Sequence, residues 1–263
     1  MVGYSDLLAI LSFRCFCILC GILAAQLTIS AASASDLLTI ATEENPPFNM
    51  TVNGTVTGTA ADLLKEVLAE AGIEYTLGLY PWARAYNMAL HDKNNCVFST
   101  ARIDQRETQF KWIGPLARNR WYVLGRAGFD RRITGIEDLR HYRVAALNGS
   151  GVALYLREKG IAVEEINEDR LIVKMMEAGR IDLWATSERG FYFSAVGDIP
   201  QVHNVLDLRE VDLYLACNLQ TDPSLVKRLG IALARKTPSS ADAASSSKSG
   251  DLPSPWIGLS TAR

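Results

Sequence analysis

The sequence predicts an α/β protein built from two units of similar size. Three observations carry this expectation. Short apolar strands alternate with amphipathic helices. The pattern restarts near the middle of the chain. A strand and a helix near the end are available to return to the first unit. The chain has 263 residues, enough for one or two sizeable cores.

The elements follow in order. Leu38-Thr39-Ile40-Ala41 reads as the first strand, and Glu43 to Thr51 as a loop broken by Pro46-Pro47. Ala60 to Ala71 is the strongest helix. Leu64, Val67, Leu68 and Ala71 share one face, with Asp62, Lys65, Glu66 and Glu70 outside it. Thr59 is placed to cap this helix and Gly72 to stop it. Ile73 to Leu79 is a second strand. Pro81 opens a helix that carries Trp82, Tyr86 and Leu90 along one stripe. Cys96 to Ser99 and Trp121 to Leu124 are the next strands.

Gly125 to Gly135 is polar and basic, as a crossover would be, and the pattern then begins again. Arg143 to Leu147 is a strand. Asn148-Gly149-Ser150-Gly151 turns into a helix that runs through Lys159. Val163 to Ile166 and Ile181 to Thr186 are strands, separated by a helix over Leu171 to Ala178. A helix near Gly190 to Val196, a strand over Val202 to Leu208, an extended Val211 to Asn218 and a helix over Ser224 to Ala234 complete the pattern.

The two ends differ in character. Phe16 to Ile29 is almost wholly apolar, follows Arg14, and leads into Ser30-Ala31-Ala32-Ser33-Ala34. That is the layout of a secretory signal, with cleavage after Ala34 and export to the periplasm. From Thr237 onward Ser, Ala, Gly and Pro dominate, so 237–263 reads as a disordered tail. Of the five cysteines only Cys96 and Cys217 lie outside the apolar leader. An oxidising compartment lets them pair, and two buried thiols are the other reading.

Composition excludes several functions. The net charge is −2, without the basic excess of a nucleic-acid binder. There is no phosphate-cradling glycine loop of the G-x-x-x-x-G-K-[ST] kind and no H-E-x-x-H. His91, His141 and His203 lack metal-ligand spacing, and Asn148 to Gly151 is not a nucleophile elbow. No cofactor or metal is expected.

Between Leu38 and Ala234 the chain resembles the amino-acid-type solute-binding proteins of ABC importers, solute-binding protein family 3. The resemblance lies in motifs taken in order. Ile40-Ala41-Thr42 leads to Pro47-Phe48, then to Gly54, Gly58 and Asp62-Leu63. Pro81-Trp82 follows, and then Ser99 to Phe110 with Arg106. Glu137-Asp138-Leu139, Arg143-Val144, Asn148-Gly149-Ser150 and Gly179-Arg180-Ile181-Asp182 complete the series.

The resemblance implies the type II periplasmic-binding-protein fold. Each of its two lobes is a mostly parallel sheet flanked by helices, and a two-strand hinge joins them. Residues 36–125 with 211–236 would form the first lobe and 126–210 the second. It further implies a monomer that captures a small polar solute in the cleft and delivers it to an inner-membrane ABC permease. Two other readings are a dehydratase-like enzyme, with Glu43, Glu44 or Glu188 as acid or base, and a ligand-sensing module.

Site residues carry over by position. Arg106 matches an arginine that clamps a carboxylate, a task its planar fork suits. Ser99 matches a strand-end position in the cleft, and Ser150 the hydroxyl residue that opens a helix in the second lobe. Trp82 matches an apolar wall against the ligand, and Phe48 of the Pro-Phe signature is carried over as a ligand-binding residue. Many relatives place an acid for the ligand's α-ammonium where this chain has Ser187, with Glu188 beside it. That departure predicts a ligand without a standard ammonium contact. An aromatic that often precedes the Pro-Phe pair is replaced here by Asn45 or Pro46. In the family topology Cys96 and Cys217 fall on adjacent strands of the first lobe, where a disulfide would tie down the returning segment.

Overall fold

A computed structural model describes residues 37–237. The expected signal segment, and the expected tail beyond Thr237, lie outside the described residues.

The strands are β1 (Leu38–Thr42), β2 (Met50–Val52), β3 (Thr55–Thr57), β4 (Tyr75–Leu79), β5 (Asn95–Ala101), β6 (Lys111–Arg126), β7 (Val144–Leu147), β8 (Val163–Ile166), β9 (Leu183–Ser187) and β10 (Val202–Cys217). The helices are α1 (Thr59–Ala71), α2 (Trp82–His91), α3 (Gly151–Glu158), α4 (Asp169–Glu177), α5 (Glu188–Ala195) and α6 (Pro223–Lys236). Short 3₁₀ turns cover Asp104–Gln109 and Ile136–His141.

All strands but β2 and β3 form one eight-stranded sheet in the order β4-β1-β5-β10-β6-β9-β7-β8. Its two wings are parallel: β4, β1 and β5 on one side, β9, β7 and β8 on the other. Antiparallel β10 and β6 cross between them, paired from Val202 with Arg126 to Cys217 with Lys111. Each wing with its helices is a lobe, and the long strands are the two-strand connection. This is the two-lobed fold expected from the sequence.

Several details differ from the expectation. The segment read as Trp121 to Leu124 is the second half of a 16-residue strand. Val202 to Leu208 and the extended Val211 to Asn218 are one strand that carries register shifts. The loop after β1 ends in a small β2-β3 hairpin. Thr59 is the first residue of α1 rather than its cap. Gly58 is the N-cap, without a side-chain cap, and the Asp62 carboxylate in the first turn reaches back to accept from the Thr57 hydroxyl at 3.0 Å and the Gly58 N–H at 3.3 Å. Gly72 does end α1 in a left-handed conformation, with φ 61°.

The core follows the apolar periodicity. Leu64, Val67 and Leu68 of α1 pack with Leu225 and Leu229 of α6 against the first wing. Ile172, Val173 and Met176 of α4 pack with Trp184 against the second. Phe48, carried over as a site residue, is buried in the first of these cores and does not face the cleft.

Cys96 and Cys217 are register partners on β5 and β10 and form a disulfide across a sequence separation of 121. Their Cα atoms are 4.0 Å apart. The bond ties the last strand, and so α6, to the first lobe.

Candidate functional site

The site lies where the carboxyl ends of the parallel strands from both wings meet beside the crossing pair. Such crevices are natural binding places in α/β folds, because strand ends and helix N-termini leave backbone groups free to serve a ligand. A cavity of about 50 Å³ lies here. A wider groove of about 720 Å³ adjoins it, sharing Glu43 and Trp82 in its walls.

Five expected residues line the inner cavity: Trp82, Ser99, Arg106, Ser150 and Ser187. Each is positioned by local structure. Between Val97 and Thr100, β5 carries one residue more than β10 does opposite it, a bulge. Within it Ser99 has φ 55°, an uncommon conformation for a residue with a side chain. The bulge turns Ser99 into the cavity, where its hydroxyl donates to Asn49 Oδ1. Asn49 is itself anchored, donating to Thr42 Oγ1 at 2.8 Å.

Ser150 is the N-cap of α3, and its hydroxyl accepts from the Ala153 N–H at 3.3 Å. It caps the helix and faces the cavity together, so neither reading displaces the other. Gly151 follows at the same wall. A Cβ there would sit 2.8 Å from Trp121 Cζ2, so only glycine allows α3 to start so close to β6. Ser187 ends β9 directly opposite Trp121 in the register, which brings it to the cavity.

Arg106 is almost fully buried, 2% exposed. Its Nη2 donates to the Gly149 carbonyl at 2.8 Å, and Nη1 reaches the Ala101 carbonyl at 3.3 Å. Nε has no hydrogen-bond partner. The guanidinium lies over the rings of Trp82 and Tyr86, about 5 Å from each centroid. Burial pulls its pKa down to about 10, against the opposing pull of Tyr86 and Glu43. It therefore keeps its charge at neutral pH.

Glu188 is not part of this cavity. It lines a separate groove with Arg120, Tyr122 and Phe191, on the other side of α5. Burial raises its pKa there. The next residue, Arg189, turns inward instead and lines the cavity. Consecutive helical residues point about 100° apart, so one of the two faces the cleft and the other does not.

Sequence reasoning missed Arg189 and the pair it makes. Its Nη1 lies 3.0 Å from Glu43 Oε2 in the other lobe, and its Nε 3.3 Å from Asp169 Oδ2 at the start of α4. All three side chains are nearly buried, 6%, 18% and 12% exposed. Burial pushes both carboxylates up, while the two carboxylates hold the guanidinium charged. The signal available in the sequence was the acid-rich Glu43-Glu44 after β1, read only as a catalytic candidate. Asn119 and Thr186 also line the cavity and went unnoticed, and Asn45, noted only as standing where an aromatic often does, joins them. Asn45 Oδ1, Asn119 Oδ1 and Thr186 Oγ1 are buried there without a hydrogen-bond partner.

The lobes meet through these groups. Trp82 Nε1 and Arg106 Nη2, both from the first lobe, donate to the one Gly149 carbonyl in the second, at 2.9 and 2.8 Å. Gln105 donates to Glu158 nearer the rim. Among the described residues no cluster of His, Cys, Asp or Glu could hold a metal ion. No helix among them is long and apolar enough to cross a membrane.

Solved structures share this architecture. Holo ArgBP from T. maritima superposes with a TM-score of 0.67 at 19% identity, over 80% of this chain and 94% of that one. A histidine kinase sensor domain with similarity to periplasmic binding proteins gives 0.69 at 18% identity, covering 77% and 91%. The GluR0 ligand-binding core from Nostoc punctiforme in complex with (L)-glutamate gives 0.63 at 26% identity, covering 75% and 92%. No curated protein sequence matches the chain. Residues 38–235 match the bacterial extracellular solute-binding proteins, family 3, and the chain belongs to that family.

Proposed function

We propose that this protein is a periplasmic receptor that captures a small carboxylate and delivers it, unaltered, to an inner-membrane ABC permease. One observation carries the reading. A charged arginine, Arg106, is buried in a cavity between two lobes with no carboxylate within ion-pair distance among the described residues. A buried charge is costly until an anion completes it. The hydroxyls and amides around it supply neutral contacts. The Cys96–Cys217 bond supports an oxidising compartment.

Binding without turnover fits the acids better than catalysis does. Glu43 is engaged by Arg189, Glu44 accepts from the Thr51 N–H at 3.0 Å, and Glu188 lies outside the cavity. None of the three is an unengaged acid facing the inner cavity. Relatives of similar fold are described with arginine, glutamine or glutamate bound, each of which carries a carboxylate.

Native mass spectrometry of protein purified from the periplasm, followed by denaturing extraction, identifies what the cleft holds. A small carboxylate released from the wild type and lost in Arg106→Ala is the expected result. A ligand retained undiminished by Arg106→Ala would overturn the reading. Conversion of the ligand on incubation would favour an enzyme instead.

A further inference from the structure

Two carboxylates from opposite lobes, Glu43 and Asp169, converge on one point of the cleft. Glu43 borders both the inner cavity and the outer groove, and Asp169 borders the outer groove. Left empty, that point would be a strong subsite for an ammonium or guanidinium group. It is filled by the chain's own guanidinium, at 3.0 and 3.3 Å. We infer that Arg189 is a built-in cation occupying the cleft's acidic subsite, so that the site takes small hydroxy carboxylates and refuses the corresponding amino acids. The ligand class rests on the carboxylate reading above; the built-in cation does not.

Pairing geometry makes the case. Glu43, the one carboxylate among the described residues that line the inner cavity, and Asp169 beside it both pair with Arg189. The other cation of the inner cavity is Arg106, and the groups around it are neutral: Asn45, Ser99, Asn119, Ser150, Thr186 and Ser187. A ligand carboxylate completes Arg106. A ligand ammonium would enter the same desolvated space with its nearest carboxylate, Glu43, already paired with Arg189 and with Arg106 repelling it. Its loss of hydration would go uncompensated.

The same cavity favours a hydroxyl where an amino acid has its ammonium. Asn45 Oδ1, Asn119 Oδ1 and Thr186 Oγ1 are buried acceptors without partners, on residues 6%, 4% and 2% exposed. A buried acceptor left unmade costs free energy. A ligand hydroxyl can donate to one of them and also accept from a neighbouring hydroxyl, with no charge to desolvate.

The test uses isosteric pairs that exchange hydroxyl for ammonium: lactate against alanine, and malate against aspartate. Calorimetry on the mature wild-type protein should show the hydroxy acid of at least one pair binding 10-fold or more tighter than its amino acid. Arg189→Ala should in addition gain binding of methylguanidinium, undetectable in the wild type, because the probe replaces the deleted group between Glu43 and Asp169. Arg189→Ser, which leaves the same space open, serves if the alanine variant does not fold. Equal or tighter binding of the amino acid by the wild type would overturn the ligand class. A folded variant that gains no methylguanidinium binding would overturn the built-in cation. Gain of methylguanidinium by the variant, with no hydroxy acid bound by the wild type, would uphold the cation and sink the carboxylate reading.

Discussion

The Arg106 guanidinium donates at 2.8 Å to the Gly149 carbonyl across the cleft, from one lobe to the other. The residue matched to anion capture is thus also a fastener between the lobes. Part of its fork is committed to the protein, and the part without a protein partner, Nε, remains for a ligand. On the proposed reading, closure and capture share one side chain, so a ligand that orients Arg106 also favours the closed arrangement. That is the linkage a hinge-closing receptor requires, since a ligand shifts an equilibrium only by its differential affinity for the two states.

Arg106→Lys separates charge from shape. Lysine keeps the positive charge but has no planar fork with which to hold both the Gly149 carbonyl and an anion. Carboxylate affinity should fall by about 1.5–3 kcal/mol, the worth of one hydrogen bond to a charged group. Arg106→Ala should lose more, about 2–5 kcal/mol, because the bound anion is then left unpaired. Calorimetry on the two variants gives the order, and equal losses would argue that only charge matters.

The depressed pKa of Arg106, about 10, predicts a pH dependence. A bound carboxylate favours the charged guanidinium and raises its proton affinity. Binding near pH 10 should therefore take up protons, and affinity should fall as the pH climbs through that value. The groups that interact electrostatically with Arg106 are Tyr86, itself raised by burial, and Glu43. Calorimetry in two buffers of different ionisation enthalpy measures the uptake. The Arg106→Lys variant should show a shifted profile.

The buried triad predicts an asymmetry in stability. Arg189→Met removes the cation between two nearly buried carboxylates and leaves both uncompensated, which should cost about 3–5 kcal/mol. Glu43→Gln leaves a one-to-one Arg189–Asp169 pair and should cost clearly less. Burial raises the pKa of both acids, so in the Met variant protonation should restore stability as the pH falls toward the ordinary carboxylate range. Urea titrations at pH 5 and pH 8 check both points, the Met variant recovering at the lower pH.

Elements with an apolar stripe were legible in the sequence, and those without one were not. Leu64, Val67 and Leu68 mark α1 because that face must be buried, and the structure buries it. Where the crossing strands pass between the lobes they keep only a short apolar face, Trp121, Val211 and Leu213, and charges fill the other. Arg118, Arg120, Glu210 and Asp212 face one another there in exposed ion pairs, with Arg120 bonded to Glu210. A two-strand ribbon facing water carries charges where a buried strand would carry valines, so β6 and β10 each read as a fragment. The site divides in the same way. Ser99, Arg106 and Ser150 stand in motifs. Arg189 depends on the phase of α5, and one residue of phase separates it from Glu188. The neutral lining, Asn45, Asn119 and Thr186, is brought together by tertiary structure alone.

The disulfide predicts a measurable share of the stability. It closes a sequence separation of 121 between β5 and β10. Cross-linking restricts the unfolded chain, an effect typically worth about 2–4 kcal/mol. The Cys96→Ala/Cys217→Ala variant should lose that much in urea unfolding, with a steeper dependence on denaturant if its unfolded state expands. Ligand affinity should change little, because the bond lies among buried β5 and β10 residues and does not border the cavity. A large loss of affinity in a folded variant would show that the returning strand sets the cleft geometry.

Gly151→Ala tests whether the closed arrangement depends on close approach at the α3 N-terminus. The added Cβ would lie 2.8 Å from Trp121 Cζ2 and 3.3 Å from the Ala101 Cβ of the first lobe. Trp121 is 3% exposed and its ring packs at a tilt against Tyr155, so it has little room to yield. The new methyl group therefore acts as a wedge between α3 and the other lobe. If the lobes stayed closed, overpacking of this kind would cost about 1–3 kcal/mol. Separation at the hinge relieves the clash, at the expense of the Gly149 contacts to Trp82 and Arg106 and of the Glu43–Arg189 pair. The variant should accordingly show a larger radius of gyration by small-angle scattering and affinity weakened about 5- to 150-fold, the same range of free energy. Its unfolding stability should change by less than the clash itself. Unchanged scattering with unchanged affinity would mean that Trp121 gives way, and that glycine at this position is not what lets the lobes meet.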